Sequence, residues 1–419
     1  MNVGQQVRSS RTLKTVATCA ASALCLVAAG CGASGTSGAN PNASQLTVYS
    51  SLPLAGGANA WAASMVNAEK LALKQARGTI HQFRISFYSE DDALPTTGRW
   101  DPGQTSANAR TAAQDHSTIA YIGDWDSGAT AVSLPLMNGS QIPQVSPAAS
   151  YPGLTRAQFA GKGEPDRYYP SGQHTFFRLV PPDDVQASAL LHYMRHSGVR
   201  SVYVITDHDV FNADVGEIVA QLGPGHGLTV AGTANTGSSD SDLNAAVKRA
   251  IASGADAVLF AGASGSGALK VISQLYAQAP ALKVFVPYAT AQPALLQGLG
   301  HAASSLYVTT PAVPVRTYTG AARDFARAYR QQFHSEPDPW AIYGYESMRL
   351  VLDAIRYAGR NGADHRAVIT QLLATQGRRS VLGTYSLDGN GDTTLRRFAG
   401  ERVNGGALVY DVMLDTAPL

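Results

Sequence analysis

Five residues of this sequence have types and settings that could do chemistry: Cys31, Ser127, Ser150, Asp207 and Asp209. Ser127 lies in IGDWDSGAT (122–130), just past a β-like run and at the start of a helical one. A hydroxyl beside the free N–H groups of a helix N-terminus suits an anion such as a carboxylate. The same placement also makes an ordinary helix cap. Ser150 closes PQVSPAAS (143–150), where a serine can hold a ligand or form a local turn. Asn59 and Trp61 sit at the end of the first glycine-rich loop. The indole could wall a binding site, or begin the apolar stripe of a helix.

Other chemistries lack their residues. GASGSG (262–267) is not G-x-G-x-x-G, no acid closes the following strand, and no Gly-Lys-Ser/Thr loop is present. Asp388, Asn390 and Asp392 imitate the start of a calcium loop, but Ala399 stands where the bidentate glutamate belongs. His192, His196, His208 and His226 lack the spacing of a metal site. A secreted α/β hydrolase would need a G-x-S-x-G elbow, and the sequence around Ser140 has no second glycine. Neither a metal nor a cofactor is expected.

The elements that must position these residues form two successive series. Strands are predicted at 46–49, 84–88, 119–122 and 142–145, with helices at 61–72, 108–115 and 127–137 between them. The alternation restarts with strands at 201–206, 229–232, 256–260 and 283–287 and helices at 212–222, 240–253 and 268–278. Further helices are expected at 318–333 and 343–357, and a β-rich C-terminus from 383 to 413. Such alternation implies parallel sheets covered on both faces. Ligands of open α/β sheets bind beyond the carboxyl ends of the strands. The loops concerned are 50–61, 123–127, 146–151, 207–212, 262–267 and 288–292.

The first thirty residues are of another kind. Arg8, Arg11 and Lys14 precede an apolar Ala-rich stretch at 15–29, and Ala28-Ala29-Gly30 precede Cys31. This order of parts reads as a signal peptide over 1–30. Cys19 and Cys25 fall inside it, so Cys31 would be the single cysteine left; the small residues before it resemble a lipobox, which implies lipid attachment at a new N-terminus, the alternative being an ordinary secretory signal with a chance cysteine. Residues 31–45 (CGASGTSGANPNASQ) read as a flexible tether. Without the three basic residues of the leader, the 32 Lys and Arg fall to 29 against 30 Asp and Glu. A near-neutral body argues against nucleic acid as a partner.

In order and spacing, IGDWDSGAT, PQVSPAAS, FFRLVPPDD (176–184), GADAV (254–258), YGYES (343–347) and GTYSLDGNGD (383–392) resemble the branched-chain amino acid (Leu/Ile/Val)-binding family of type I periplasmic solute-binding proteins of ABC transporters. The resemblance covers 46–414. It implies an α/β fold of two doubly wound lobes joined by three hinge crossovers, near 177–182, 307–311 and 382–387. Lobe 1 would take 46–177 and 309–381, and lobe 2 would take 178–308 and 382–419. It further implies a non-enzymatic, monomeric lipoprotein on the outer face of the cytoplasmic membrane. That receptor would capture a small polar solute by hinge closure and deliver it to membrane permease subunits; a sensor reporting to a membrane partner is the alternative.

By resemblance, Ser127 takes a ligand carboxylate. Ser150 and the backbone at Ala148 and Ala149 contact the ammonium and carboxylate. Phe211 packs on the ligand, and Tyr288 lies in the loop where amino-acid receptors place an acid. PYATAQ (287–292) has no acid there. Asp207 or Asp209 could substitute, and each also reads as a plain loop acid. A buried ammonium without a counter-charge is costly, so an α-amino acid is not implied by the residues themselves.

Overall fold

The computed structural model describes residues 44–55 and 59–416. The leader, Cys31 and most of the tether lie outside the described residues.

In chain order the first lobe begins with β1 (Gln45–Leu52), α1 (Ala60–Gln75), β2 (Thr79–Ile80), β3 (Phe83–Asp91), α2 (Pro102–Gln114), β4 (Thr118–Ile122), α3 (Ser127–Gly139), β5 (Gln144–Ser146) and β6 (Phe176–Arg178). The second lobe follows with α4 (Asp183–His196), β7 (Ser201–Asp207), α5 (Val210–Leu222), β8 (Thr229–Thr236), α6 (Asp240–Ala252), β9 (Ala257–Ala261), α7 (Ser266–Gln278), β10 (Lys283–Pro287), α8 (Pro293–Leu299) and β11 (Leu306–Thr310). The chain then returns through α9 (Gly320–Phe333), α10 (Ala341–Ala358), α11 (His365–Leu373), β12 (Arg378–Ser380) and β13 (Gly383–Tyr385) before β14 (Arg397–Asn404) and β15 (Ala407–Asp415).

Six strands form the first sheet in the order β2-β3-β1-β4-β5-β6, and seven form the second as β15-β14-β11-β10-β9-β7-β8. Strands β4 and β9 are buried along their whole length, as expected for central parallel strands covered by helices on both faces. The order reverses between β1 and β4 in one sheet and between β7 and β9 in the other. Such switch points leave a crevice beyond the carboxyl ends of the strands. Residues 123–127 leave β4 at the first crevice, and 207–209 leave β7 at the second.

The second sheet gains an antiparallel edge where β14 pairs with β11 and then with β15. Gly405 and Gly406, both at positive φ, form the two-residue turn between Asn404 and Ala407. That turn type demands positive φ at both positions.

Three segments cross between the sheets: β6 to α4, β11 to α9 and β13 to β14. The first and third are locked together. Arg178, fully buried, donates from Nε to Asp392 Oδ1 at 2.6 Å and from Nη1 to the Tyr151 carbonyl at 2.7 Å. Gly391 lets the strands approach, since a Cβ there would lie 2.1 Å from the Phe176 carbonyl oxygen. The Asp388-Asn390-Asp392 stretch is thus a turn. Asp388 Oδ1 accepts the amides of Asn390 and Asp392 at 2.9 Å, and Asp392 faces Arg178.

Helix α4 has no counterpart in the apolar periodicity. Eleven of its 14 residues are buried, including Asp183 and Asp184 in the first turn. A helix covered on nearly every side shows no amphipathic stripe.

Candidate functional site

The carboxyl ends of β1 and β4 supply Asn59, Trp61, Trp125 and Asp126 to the cleft between the sheets, and Ser127 follows them without lining either cavity described below. Those of β7, β9 and β10 supply Asp209, Ala263 and Tyr288. Two cavities lie there, of about 560 Å³ and about 340 Å³. Both fall within the size range of small-molecule sites. A larger one, of about 630 Å³, is confined to lobe 1 beside α10 and β12, where Arg378 pairs with Glu346 and Asp353.

Ser127 opens α3, as the sequence implies. Its Oγ accepts the amides of Ser150 and Tyr151, each at 3.1 Å. Both lone pairs are thereby used, and the hydroxyl proton remains to donate. The Ala148 carbonyl and Ser150 Oγ lie together, but they face a protein group: the Tyr288 phenol donates toward both, at 2.9 Å each. The Ala149 carbonyl turns the other way and accepts Arg178 Nη1 at 3.3 Å. Ser150 Oγ also hydrogen-bonds Asp183, whose carboxyl burial raises to about 7 against the pull of that bond and of Arg178.

Phe211 does not reach Tyr288. Its ring packs edge-on against Tyr151 at 5.3 Å. With Trp100 it covers Gly128, where a Cβ would lie 2.5 Å from the Trp100 ring and 3.2 Å from the Phe211 ring. Two aromatic rings therefore roof the first turn of α3 beside Ser127. Asn59 braces the loop that carries Trp100, donating from Nδ2 to the carbonyls of Ala55 and Gly98 at 2.7 Å each. The Asp207 carboxylate is spent on the amides of Asp209 and Ala263, at 3.0 and 2.8 Å. Asp209 caps α5 and lines the 560 Å³ cavity with Arg99 and Asp126. Burial lifts Asp126 to about 7; Asp209 adds to the rise and Arg99 opposes it.

The 340 Å³ cavity has a different lining. Trp61 stacks tilted on Trp125 with ring centroids 3.9 Å apart. Trp340, from the loop before α10, meets Trp125 edge-on at 4.4 Å and Tyr288 at 5.0 Å. Asp338 and Glu401 complete the wall, and no Lys or Arg is among the described lining residues. Burial raises Glu401 to about 7; Arg316 pulls it down and Asp338 pushes it up. Asp338 is likewise raised by burial, against the amide of Trp340 that it accepts. The Trp61 indole N–H is buried without a partner.

Trp100, Trp125, Trp340, Arg99 and Glu401 were not among the residues expected from sequence to touch a ligand. One signal was available: the chain has four tryptophans, and all four line these two cavities.

The sequence profile of the periplasmic binding protein family matches residues 50–407. The chain belongs to that family. Solved structures share its fold. A leucine-binding protein, LivK, from Thermotoga maritima is 19% identical with a TM-score of 0.73, the match covering 88% of this chain and 99% of that one. The branched-chain amino acid transporter substrate-binding protein LivJ from Streptococcus pneumoniae, in complex with isoleucine, is 18% identical with a TM-score of 0.71, over 89% and 100%. An ABC-transporter solute-binding protein from Rhodopseudomonas palustris, in complex with benzoate, is 17% identical with a TM-score of 0.68, over 89% and 97%. No curated protein gives a significant match. The two-lobed α/β architecture with parallel-rich sheets and three crossovers is thus the type I periplasmic-binding-protein fold.

Proposed function

We propose that this periplasmic binding protein is the solute receptor of an ABC importer, capturing one small molecule between its lobes and delivering it to membrane permease subunits. The observation that carries this reading is the cleft itself. Side chains from both sheets line each of its two cavities, and Tyr288 of the second lobe bridges to Ala148 and Ser150 of the first. A hinge with three crossovers converts ligand contact on both walls into closure. The bound isoleucine and benzoate named for the similar structures support a small organic solute. No step of this function needs covalent chemistry or a cofactor.

The residues argue against an α-amino acid held in the manner the family resemblance implies. The carbonyl of Ala148 and the hydroxyl of Ser150, which would accept an ammonium, already face the Tyr288 phenol. The loop at 287–292 brings no carboxylate to replace it. A ligand that displaced Tyr288 would leave a buried phenol in search of a partner, at a cost of about 1–3 kcal/mol.

Anchoring is proposed through Cys31. Cys31→Ser should release the protein from the membrane fraction, and retention would remove the lipid from this account. A thermal-shift panel of amino acids, amides, aromatic carboxylates, organic cations and sugars tests receptor function. A true solute raises the melting temperature with concentration; a flat response across the panel would overturn the receptor reading.

A further inference from the structure

We propose that the 340 Å³ cavity binds a small methylated-ammonium cation, with its headgroup against the rings of Trp61, Trp125, Tyr288 and Trp340 and its charge met by Asp338 and Glu401. The inference rests on the receptor reading above and names the chemical class of its solute.

Three observations converge on it. The first is the rings. Four aromatic side chains from four separate stretches of chain form a chain of ring contacts, with neighbouring centroids 3.9–6.3 Å apart. Aromatic faces attract cations through the ring quadrupole, and boxes of several rings suit quaternary ammonium groups, which have no N–H to donate. The second is the charge. Two carboxyl groups and no basic residue line the space among the described residues. An anion there would oppose ionisation of these buried carboxyl groups further; a cation would favour it. Arg316 is the basic group that acts on Glu401 from outside the cavity lining, and its guanidinium sits 6.0 Å over the Tyr410 ring. The third is the unpartnered Trp61 indole N–H, 92% buried by the residue's 8% exposure.

The plain alternative is that these rings are core. Trp61, Trp125 and Tyr288 do join the main hydrophobic cluster of lobe 1. A core, however, packs its rings to close-packed density. Here they border open space shared with carboxylates from Asp338, before α10, and Glu401, on the far lobe. The pairing of an aromatic wall with acids from both lobes is the arrangement a closing cleft would use on a cation.

The experiment is calorimetric titration of the purified protein with choline and with 3,3-dimethylbutan-1-ol, its uncharged carbon isostere. Choline should bind at least about tenfold more tightly, because cation–π and carboxylate attraction act on the charged form alone. Glu401→Gln should lower choline affinity about tenfold and leave the alcohol unchanged, with the melting temperature of the free variant reporting its fold. Equal affinity for choline and the alcohol would overturn the cation assignment. So would unchanged choline binding by the folded variant. If neither probe binds but leucine or benzoate does, the cation class fails and the receptor stands. If nothing in the solute panel binds, both fail.

Discussion

On the lobe 1 side of the cleft, the 146–151 loop is wired to the protein itself. Ser146 Oγ accepts two amides, Ser127 Oγ accepts two more, Arg178 takes the carbonyls of Ala149 and Tyr151, and Tyr288 takes that of Ala148. The wall made by Trp61, Trp125, Trp340 and Glu401 keeps an unpaired indole N–H and, among the described residues, carboxyl groups with no salt bridge. The first region has its polar groups satisfied; the second keeps the Trp61 N–H unpaired. Satisfied groups give stability, and unsatisfied ones give binding, because their partner arrives with the ligand.

Four measurements sharpen or break that contrast. Arg178→Met removes the centre of the satisfied region and leaves the buried Asp392 with Arg156, at 3.7 Å, as its remaining counter-charge. It should cost about 3–5 kcal/mol in denaturant unfolding. A loss below about 1 kcal/mol would mean the loop is held elsewhere. Trp340→Ala attacks the other wall at a half-buried residue. Choline affinity should fall about tenfold with a smaller stability change; the reverse ratio would make Trp340 a packing residue. Tyr288→Phe belongs to both walls. Loss of the phenol should weaken lobe–lobe association by about 1 kcal/mol, seen as a larger radius of gyration in small-angle scattering of the free protein. An unchanged radius would show that the bridge does not hold the cleft shut.

The smallest effect is that of pH. Burial raises Glu401 to about 7, with Asp338 adding and Arg316 opposing. A cation favours the ionised carboxyl, so binding releases a proton below that value and affinity rises with pH up to it. Choline affinity should grow a few-fold from pH 6 to pH 8 and then level off. A fall over that range would exclude Glu401 from the site.

Much of the frame was legible in the residues. β4 and β9 are short unbroken apolar runs, and such runs between helical stripes mark buried parallel strands. Helices α6 and α9 show their stripes because one face meets water. Helix α4 was silent because nearly all of it is buried. The loops that carry Ser127, Ala148, Ser150 and Tyr288 could be located because they follow predictable strands, while the family resemblance singled out Ala148 and Tyr288 within them; of the four, Tyr288 lines a cleft cavity. Glu401 and Trp340 could not, since they reach the cleft only after the chain has crossed between lobes, and no local spacing records that meeting. The hairpin that places Trp100 over Gly128 was missed for a related reason. Its Ala93–Trp100 bridge spans a turn-rich stretch with no strand alternation.

The Tyr288 phenol meets the Ala148 carbonyl as a passenger's amine would. It does so from the tip of β10, on a loop that carries neither the hinge nor the sheet register. In evolutionary terms that makes the cargo specification modular. On the receptor reading, exchange of one side chain at that tip would alter which class of molecule is admitted and leave the two-lobed frame unchanged. Receptors descended from one such frame would diverge fastest at this corner and slowest at Arg178.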